Sequence, residues 1–599
     1  MKKLSVATII FLLLISTVRS QDAKLTILHT NDMHSRLAGF APESAYTPLI
    51  VNNDKTIGGF ARIAWIIKNE KQKPGQNTIV VDAGDFLMGT LFHTVEEETG
   101  FQLPLMKKMG YDIVAIGNHE FDFGPQALAQ IINNSLKRGA IPEILLGNAL
   151  FSATDNSDDT LEELYRKEVI RRTTVKEIGG IKVGFFSLLG VDAVKVSPKA
   201  KPVTFENQVS YARMAVKELK SVNCNVIICV SHSGVVKDKN GNWAGEDINL
   251  ASKVSGIDLI ISGHTHTLLS RPETVNGVPV VQAGELGEFV GKIVLSGKNG
   301  KFHLESYELI PVNDSIQGDK QTDDLIKDQE NVITKRILEP LKLDYSKPVV
   351  SSGFMLECDE HGNLDESNLG PFVADAIHYY LNCHGKDGDD VSMVSAGVIR
   401  DRIMPGLQSA ADIFRIIPLG SGADGIPGYA LSRLYVTGRE LKNILEVLLV
   451  AQKSNPDYHC YFSGINAEYN PDRGLLKKVS KIDIVKPDGQ LLNVDLSKAN
   501  KKLYSIAANS YMLQFISIIK KKTHGIVNVV PKDKNGAKVT DMSKGIVDID
   551  ETRDGIQEGK EWLALIDYLK QMKDTDGDGI PDLDNRYSKP VKTFTIVRK

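Results

Sequence analysis

Five short apolar runs, each delivering histidine, aspartate or asparagine at its end, constrain this chain more than any other feature. Leu25-Thr-Ile-Leu-His-Thr30 leads into Asn31-Asp32-Met33-His34, and Thr78-Ile-Val-Val81 leads into Asp82-Ala-Gly-Asp85. Tyr111-Asp-Ile-Val-Ala-Ile116 leads into Gly117-Asn118-His119-Glu120-Phe121-Asp122. Asn225-Val-Ile-Ile-Cys-Val230 leads into Ser231-His232-Ser233-Gly234, and Asp258-Leu-Ile-Ile261 into Ser262-Gly263-His264-Thr265-His266. Apolar, β-branched runs of this length read as parallel strands buried on both faces. Open α/β sheets collect ligands at the carboxyl ends of such strands. One histidine at a strand end is ordinarily a structural hydrogen-bonder; five such ends together point to a metal site. The donors are oxygen and nitrogen only, a set that suits Zn²⁺, Mn²⁺ or Co²⁺. His119 and Asp122 can pair as an imidazole oriented by a carboxylate.

At 599 residues the chain exceeds one ordinary core, so two or more domains are expected. A net charge of −4 gives no electrostatic case for nucleic-acid binding. Lys2 and Lys3 precede the apolar run Leu4 to Ile15, and Val18-Arg19-Ser20 follows, the pattern of a signal peptide cut near Ser20. That run is short of the ~20 residues a membrane span needs. A secreted or periplasmic protein is expected, with no membrane anchor in its mature form and its oligomeric state left open. Of five cysteines, Cys224 and Cys229 flank a core strand, and one pair among Cys358, Cys383 and Cys460 could bridge.

The alternation of strands with helical or loop segments over 24–310 predicts a layered α/β domain. Within it, a helix opens at Gly58-Gly59-Phe60 and runs to about Lys71. Residues 311–345 read as a polar, solvated linking helix, and 346–573 as a second, α+β domain. In 574–585, Asp574, Asp576, Asp578 and Asp582 alternate with glycine and small residues, as in a calcium-binding loop. The absence of a glutamate at the twelfth position sets it apart from an EF-hand; it resembles the loops of thrombospondin type 3 repeats.

The strand-end motifs resemble the calcineurin-like metallophosphoesterases. The forms Asn-Asp-Met-His, Gly-Asn-His-Glu-Phe-Asp and Gly-His-Thr-His resemble in particular the secreted 5′-nucleotidase and UDP-sugar hydrolase family. That resemblance implies two metal ions, one held by Asp32, His34 and His266, the other by Asn118, His232 and His264, with Asp85 bridging. It implies hydroxide generated at neutral pH attacking a phosphoryl group, His119 donating to a phosphoryl or leaving-group oxygen, and Asp122 fixing its tautomer. The expected activity is release of phosphate from nucleoside 5′-monophosphates, in the service of nucleotide catabolism. The alternatives are a UDP-sugar hydrolase, a cyclic-nucleotide phosphodiesterase or a broad phosphoesterase, and, outside enzymes, a binding protein on the same scaffold. The resemblance places Arg400 and Tyr511 on the substrate. Here the chain departs from the family: Ser395-Ala396-Gly397 replaces Asn-Gly-Gly, and Pro418-Leu419-Gly420 replaces the Pro-Phe-Gly whose aromatic stacks on a base.

Overall fold

The computed structural model describes residues 23–598 apart from 41, 76, 299–300, 359–362, 454, 475 and 514–528. The expected signal peptide and its cleavage point near Ser20 lie outside the described residues. The chain forms two compact units: 1–34, 58–87 and 96–323 make one, and 35–57, 88–95 and 324–599 the other. The sequence shows no break within 24–310, yet the chain leaves the first unit after His34 and after Leu87 and rejoins it at Gly58 and Glu96.

The first unit contains two large sheets. One orders its strands Lys301–Pro311, Phe289–Lys298, Ala23–Thr30, Thr78–Asp82, Ile113–Ala115, Glu143–Leu145 and Ile170–Arg171. From Ala23–Thr30 onward these run parallel; the first two are antiparallel additions at one edge. The other sheet orders Glu273–Val275, Val278–Val281, Leu259–Ser262, Val226–His232, Ile181–Leu189 and Thr173–Ile178, parallel in its centre and antiparallel at both edges.

Side-chain alternation explains how the sheets stack. Leu25, Ile27, Ile79, Val81, Val226, Ile228, Val230, Leu259 and Ile261 share one core cluster. Their neighbours Ile227, Cys229 and Ile260 face the other way, against Tyr211, Ala215 and Leu219 of helix Gln208–Ser221 and Leu250 of helix Glu246–Lys253. Each such residue, fully buried, is worth roughly 1.5–3 kcal/mol, so a one-residue slip of register would exchange one core for another. The expected helix spans Phe60–Gln72 and buries Ile63, Ile66 and Ile67 on one face.

The helix Lys320–Ile333, extended by a π turn over Thr334–Leu338 and a 3-10 turn over Glu339–Leu341, takes the place of the expected linker. It is not uniformly solvated: Thr322, Ile326, Gln329 and Ile333 are buried. Their spacing of four, three and four residues is one helical stripe, diluted in the sequence by polar members.

The second unit has an α+β arrangement. One four-stranded sheet orders Leu431–Thr437, Leu503–Asn509, Val391–Ser395 and Cys460–Ser463. Another orders Leu491–Asn493, Val479–Val485, Ile465–Tyr469 and Phe594–Ile596. Helix Gly438–Ala451 begins with a reciprocal cap: Thr437 Oγ1 accepts from the Glu440 amide at 3.3 Å, and the Glu440 carboxylate accepts from the Thr437 amide at 2.8 Å. No disulfide joins Cys358, Cys383 and Cys460.

A buried ionic cluster fastens the segment 35–57 within this unit. Arg415 reaches Asp412 at 2.8 Å, Asp401 at 2.9 Å and the Glu43 carboxylate; Arg36 reaches Asp401 at 2.8 Å, and Tyr345 donates to Glu43 at 2.6 Å. Burial pushes Asp401 up, but Arg36 and Arg415 outweigh it and hold it at about 2. Its contribution to stability is therefore complete above the ordinary carboxylate range and is lost as pH falls toward 2. Arg415→Ala removes the cation from Glu43 and Asp412 and one of the two from Asp401, and is expected to cost about 3–5 kcal/mol, read as a lowered urea midpoint. An unchanged midpoint would show that the cluster is solvated.

Candidate metal centre

The five strand ends meet within the first unit. Asp32 and His34 follow Ala23–Thr30, Asp85 follows Thr78–Asp82, and Asn118 and His119 follow Ile113–Ala115. From the other sheet, His232 is the last residue of Val226–His232, and His264 and His266 follow Leu259–Ser262. Three groups have donor atoms within 4.8 Å of one another: Asp32, His34 and His266; Asp85, His232 and His264; and His34, Asp85 and His119. Asp85 belongs to two of them. Asn118 completes the second group, its Oδ1 lying 3.2 Å from His232 Nε2 and 2.9 Å from His264 Nδ1. In the first group His34 Nε2 and His266 Nε2 are 3.0 Å apart, and His266 Nε2 is 3.7 Å from Asp32 Oδ1.

Burial opposes charge on both Asp85 and His232, yet their contact at 3.0 Å outweighs it. Asp85 is held well below the usual carboxylate range, and His232 is raised to about 10. Four imidazoles, two carboxylates and a carboxamide oxygen converge here, and a divalent cation satisfies such a set better than shared protons can. The donor set therefore fits two divalent ions.

The local backbone is unusual. Asp32, His34, Asp85, His264 and His266 all have positive φ, between 48° and 81°. Left-handed non-glycine residues cost roughly 1–3 kcal/mol each and gather at functional sites. Hydrogen bonds hold them: Asp32 N donates to Gly84 O at 2.9 Å, His34 N to Asp85 O at 2.9 Å, and His264 N to the Asp32 carboxylate at 3.0 Å. A Cβ on Gly117 would sit 2.3 Å from Asp85 Oδ1, and one on Gly263 would sit 2.9 Å from His232 Nδ1. Glycine is needed at both positions because the cradle closes directly over them.

Several residues that the sequence did not single out shape the site. The buried Glu120 carboxylate accepts from the amides of Asp85 at 3.1 Å, Leu87 at 2.9 Å and Gly117 at 2.6 Å, binding two donor loops together. Burial, with Asp85 adding to it, raises Glu120 to about 8. Asn31 donates to Asp32 Oδ2 and to Gly284 O, both at 2.6 Å, and accepts from the Ala283 amide at 2.9 Å. Both stand inside the strand-end motifs, so proximity was the available signal. Glu285 lies 2.6 Å from His266 Nδ1, and Asp192 lies 3.5 Å from His264 Nε2. Neither is part of a strand-end motif. Such outer carboxylates fix ring orientation and basicity of ligating imidazoles. For His232 the same part falls to the Ala83 carbonyl, 2.8 Å from Nδ1. Asp82 stays outside the donor groups, accepting from Thr30 Oγ1 at 2.6 Å and the Gly84 amide at 3.0 Å. His119 Nδ1 meets Asp122 Oδ2 at 2.8 Å, as the three-residue spacing suggested.

Arg400 and Tyr511 belong to the second unit. Arg400 is half-buried, its amide bonded to Ile416 O at 2.9 Å. Tyr511 stacks on Tyr429, with ring centroids 5.4 Å apart and planes within 10°. Leu419 stands at the position expected for a second aromatic, but the Tyr429 amide donates to its carbonyl at 3.0 Å, so Tyr429 is its neighbour across the turn. In the acidic loop, Asp574, Asp576 and Asp582 form a further donor group, while Asp578 lies outside it and accepts from the Ile580 amide.

Residues 25–268 match the model of the calcineurin-like phosphoesterases, and 350–515 match that of the 5′-nucleotidase C-terminal domain. The 5′-nucleotidase of Mus musculus is 31% identical over 526 residues, 82% of each chain. A trifunctional nucleotide phosphoesterase of Bacillus subtilis is 26% identical over 82% of this chain; the chain spans about a third of that protein's length, 32%. A 5′-nucleotidase precursor from Thermus thermophilus shares the fold, with a TM-score of 0.68 at 21% identity, covering 96% of this chain and 100% of that one. The chain thus belongs to the 5′-nucleotidase family of calcineurin-like metallophosphoesterases, metal-dependent hydrolases of phosphoric esters.

Proposed function

We propose that the protein is an exported, dinuclear phosphohydrolase that releases phosphate from nucleoside 5′-monophosphates. The observation that carries this reading is that Asp85 groups with His232 and His264 on one side and with His34, itself grouped with Asp32 and His266, on the other. Asp32, His34 and His266 would hold one ion, Asn118, His232 and His264 the other, and Asp85 both. Zn²⁺, Mn²⁺ and Co²⁺ all suit these donors. Bound there, the ions supply positive charge to a phosphoryl group and a water acidified toward neutral pH.

The remaining chemistry falls to side chains. Asp122 occupies His119 Nδ1, leaving Nε2 to donate to a phosphoryl or leaving-group oxygen, and its carboxylate stabilises the imidazolium while it is charged. No protein nucleophile is required. The leader pattern in the first twenty residues supports export; among the described residues no helix is long and apolar enough to cross a membrane. The loop carrying Asp574, Asp576 and Asp582 is proposed as a structural calcium site, with Asp578 turned to the backbone.

For substrate, Arg400 would hold an anionic or hydroxyl-rich part, and Tyr511 a base. Tyr429 braces one face of Tyr511, too close for a base to enter between the rings, so the base would stack on the opposite face. UDP-sugar or cyclic-nucleotide hydrolysis remains the second reading, favoured by the departures at Ser395-Ala396-Gly397 and Leu419.

Asp85→Asn should abolish turnover and metal content together; wild-type rate with two equivalents of metal would refute the bridging role. His119→Ala should lower turnover about 10²–10⁴-fold with metal content unchanged, whereas loss of metal would make His119 a ligand. Because His232 carries a proton to about pH 10 beside Asp85, metal loading must expel it. Calorimetry in buffers of different ionisation enthalpy should show net proton release and affinity rising with pH; pH-independent affinity would contradict the assignment.

Base stacking on an aromatic is worth roughly 1–3 kcal/mol. Tyr511→Ala and Tyr429→Ala should therefore each reduce kcat/KM for AMP more than for p-nitrophenyl phosphate. Equal losses on both substrates would remove the tyrosines from base recognition, and undetectable AMP hydrolysis in the wild type would favour the second reading.

A further inference from the structure

An open surface pocket of about 470 Å³ in the first unit is lined by the exposed Lys237, Gly241, Ser270 and Arg271, the half-buried Trp243 and the buried Leu269. It shares no residue with the metal centre. Two of its lining residues are cationic and none is acidic. Lys237 and Trp243 face each other across a short antiparallel ribbon, Val236–Lys237 with Trp243–Ala244. The Lys237 ammonium lies 4.9 Å from the Trp243 ring centroid, and Trp243 also packs against the helix-side core of the second sheet.

The one acid in the ribbon's turn does not neutralise this charge at the cavity. Asp238 is folded into its own loop, accepting from the amides of Asn240 at 2.8 Å and Asn242 at 2.9 Å. Among the described residues, neither the Lys237 nor the Arg271 side chain takes part in an ion pair or hydrogen bond. Two cations on one side of an open pocket raise the local positive potential and attract oxyanions. Free phosphate would leave most of the volume unfilled, since cavities of roughly 300–1,000 Å³ suit small organic ligands. The indole adds a rigid aromatic wall.

We propose that this cavity is a binding site for a phosphate-bearing ligand with a planar ring, of the nucleoside monophosphate class. Lys237 leaves the indole face to take its phosphate together with Arg271, and the ring takes the place of the ammonium against Trp243. Val235, the residue before the ribbon, is stitched to Thr265 between His264 and His266: the Val235 amide donates to Thr265 Oγ1 at 3.0 Å, and Thr265 Oγ1 donates to Val235 O at 2.9 Å. The site is argued from its own lining and stands whichever ester the metal centre hydrolyses.

The test is tryptophan emission of the full-length protein titrated with a non-hydrolysable phosphonate analogue of AMP, with ribose 5-phosphate and with inorganic phosphate. The chain has three tryptophans, so Trp243→Phe assigns the signal. The expected result is a saturable change in the wild type that is absent in Trp243→Phe. In Lys237→Ala/Arg271→Ala binding should weaken at least about tenfold, the scale of losing charge-assisted hydrogen bonds, with turnover of p-nitrophenyl phosphate unchanged. An emission change that survives unaltered in the double variant, or none saturating by about 10 mM, tenfold above a millimolar site, would overturn the proposal. Equal affinity for inorganic phosphate and the nucleotide analogue would overturn its nucleotide assignment.

Discussion

One buried carboxylate joins the donor loops at the carboxyl ends of the two sheets. Asp85 lies 3.0 Å from His232 Nε2, and its Oδ1 accepts the amide of His119 at 2.8 Å. A strand end of the first sheet is thereby tied to one of the second and to its own neighbour. Burying such a charge is costly unless it is paired and hydrogen-bonded. A set of donors this dense, drawn from five strands, is best reconciled by cations placed among them. Two such cations held on either side of Asp85 would supply positive charge to a phosphoryl group.

The cradle is held by a second layer of polar groups. Five donor residues adopt left-handed backbone, a conformation that persists only when the surroundings over-determine it. Glu120 does much of this by gathering the amides of Asp85, Leu87 and Gly117, and Asn31 does the same for Asp32 and the 283–284 turn. Beyond them, Glu285 and Asp192 face His266 and His264. The donor atoms are therefore preorganised, and their precision rests on residues outside the donor set.

The second unit follows a different logic. Its buried cluster of Arg36, Glu43, Asp401, Asp412 and Arg415 gathers distant parts of the chain, such as Glu43 and Asp412, 369 positions apart. The segments that follow the donors His34 and Asp85 enter this unit. Its aromatic pair is made by chain return: the Tyr429 amide donates to Leu419 O across a tight turn, and the Tyr429 ring stacks on Tyr511.

The layered α/β class, the five strands and the donor residues were all legible in the sequence. Burial on both faces forces continuous apolar runs, and chemistry at strand ends forces histidine, aspartate and asparagine immediately after them. The pairing of His119 with Asp122 was legible because it is local, three residues apart. The buried stripe on helix Lys320–Ile333 was hidden because Thr322 and Gln329 supply half of it, and polar residues carry no burial signal. Glu285, Asp192 and Tyr429 were invisible for a different reason: each acts on a partner that only folding brings near. Sequence determined which atoms could bind a metal. Tertiary structure alone decided which of them converge, on what strained backbone, and which distant carboxylates hold them there, because those depend on long-range register and chain return.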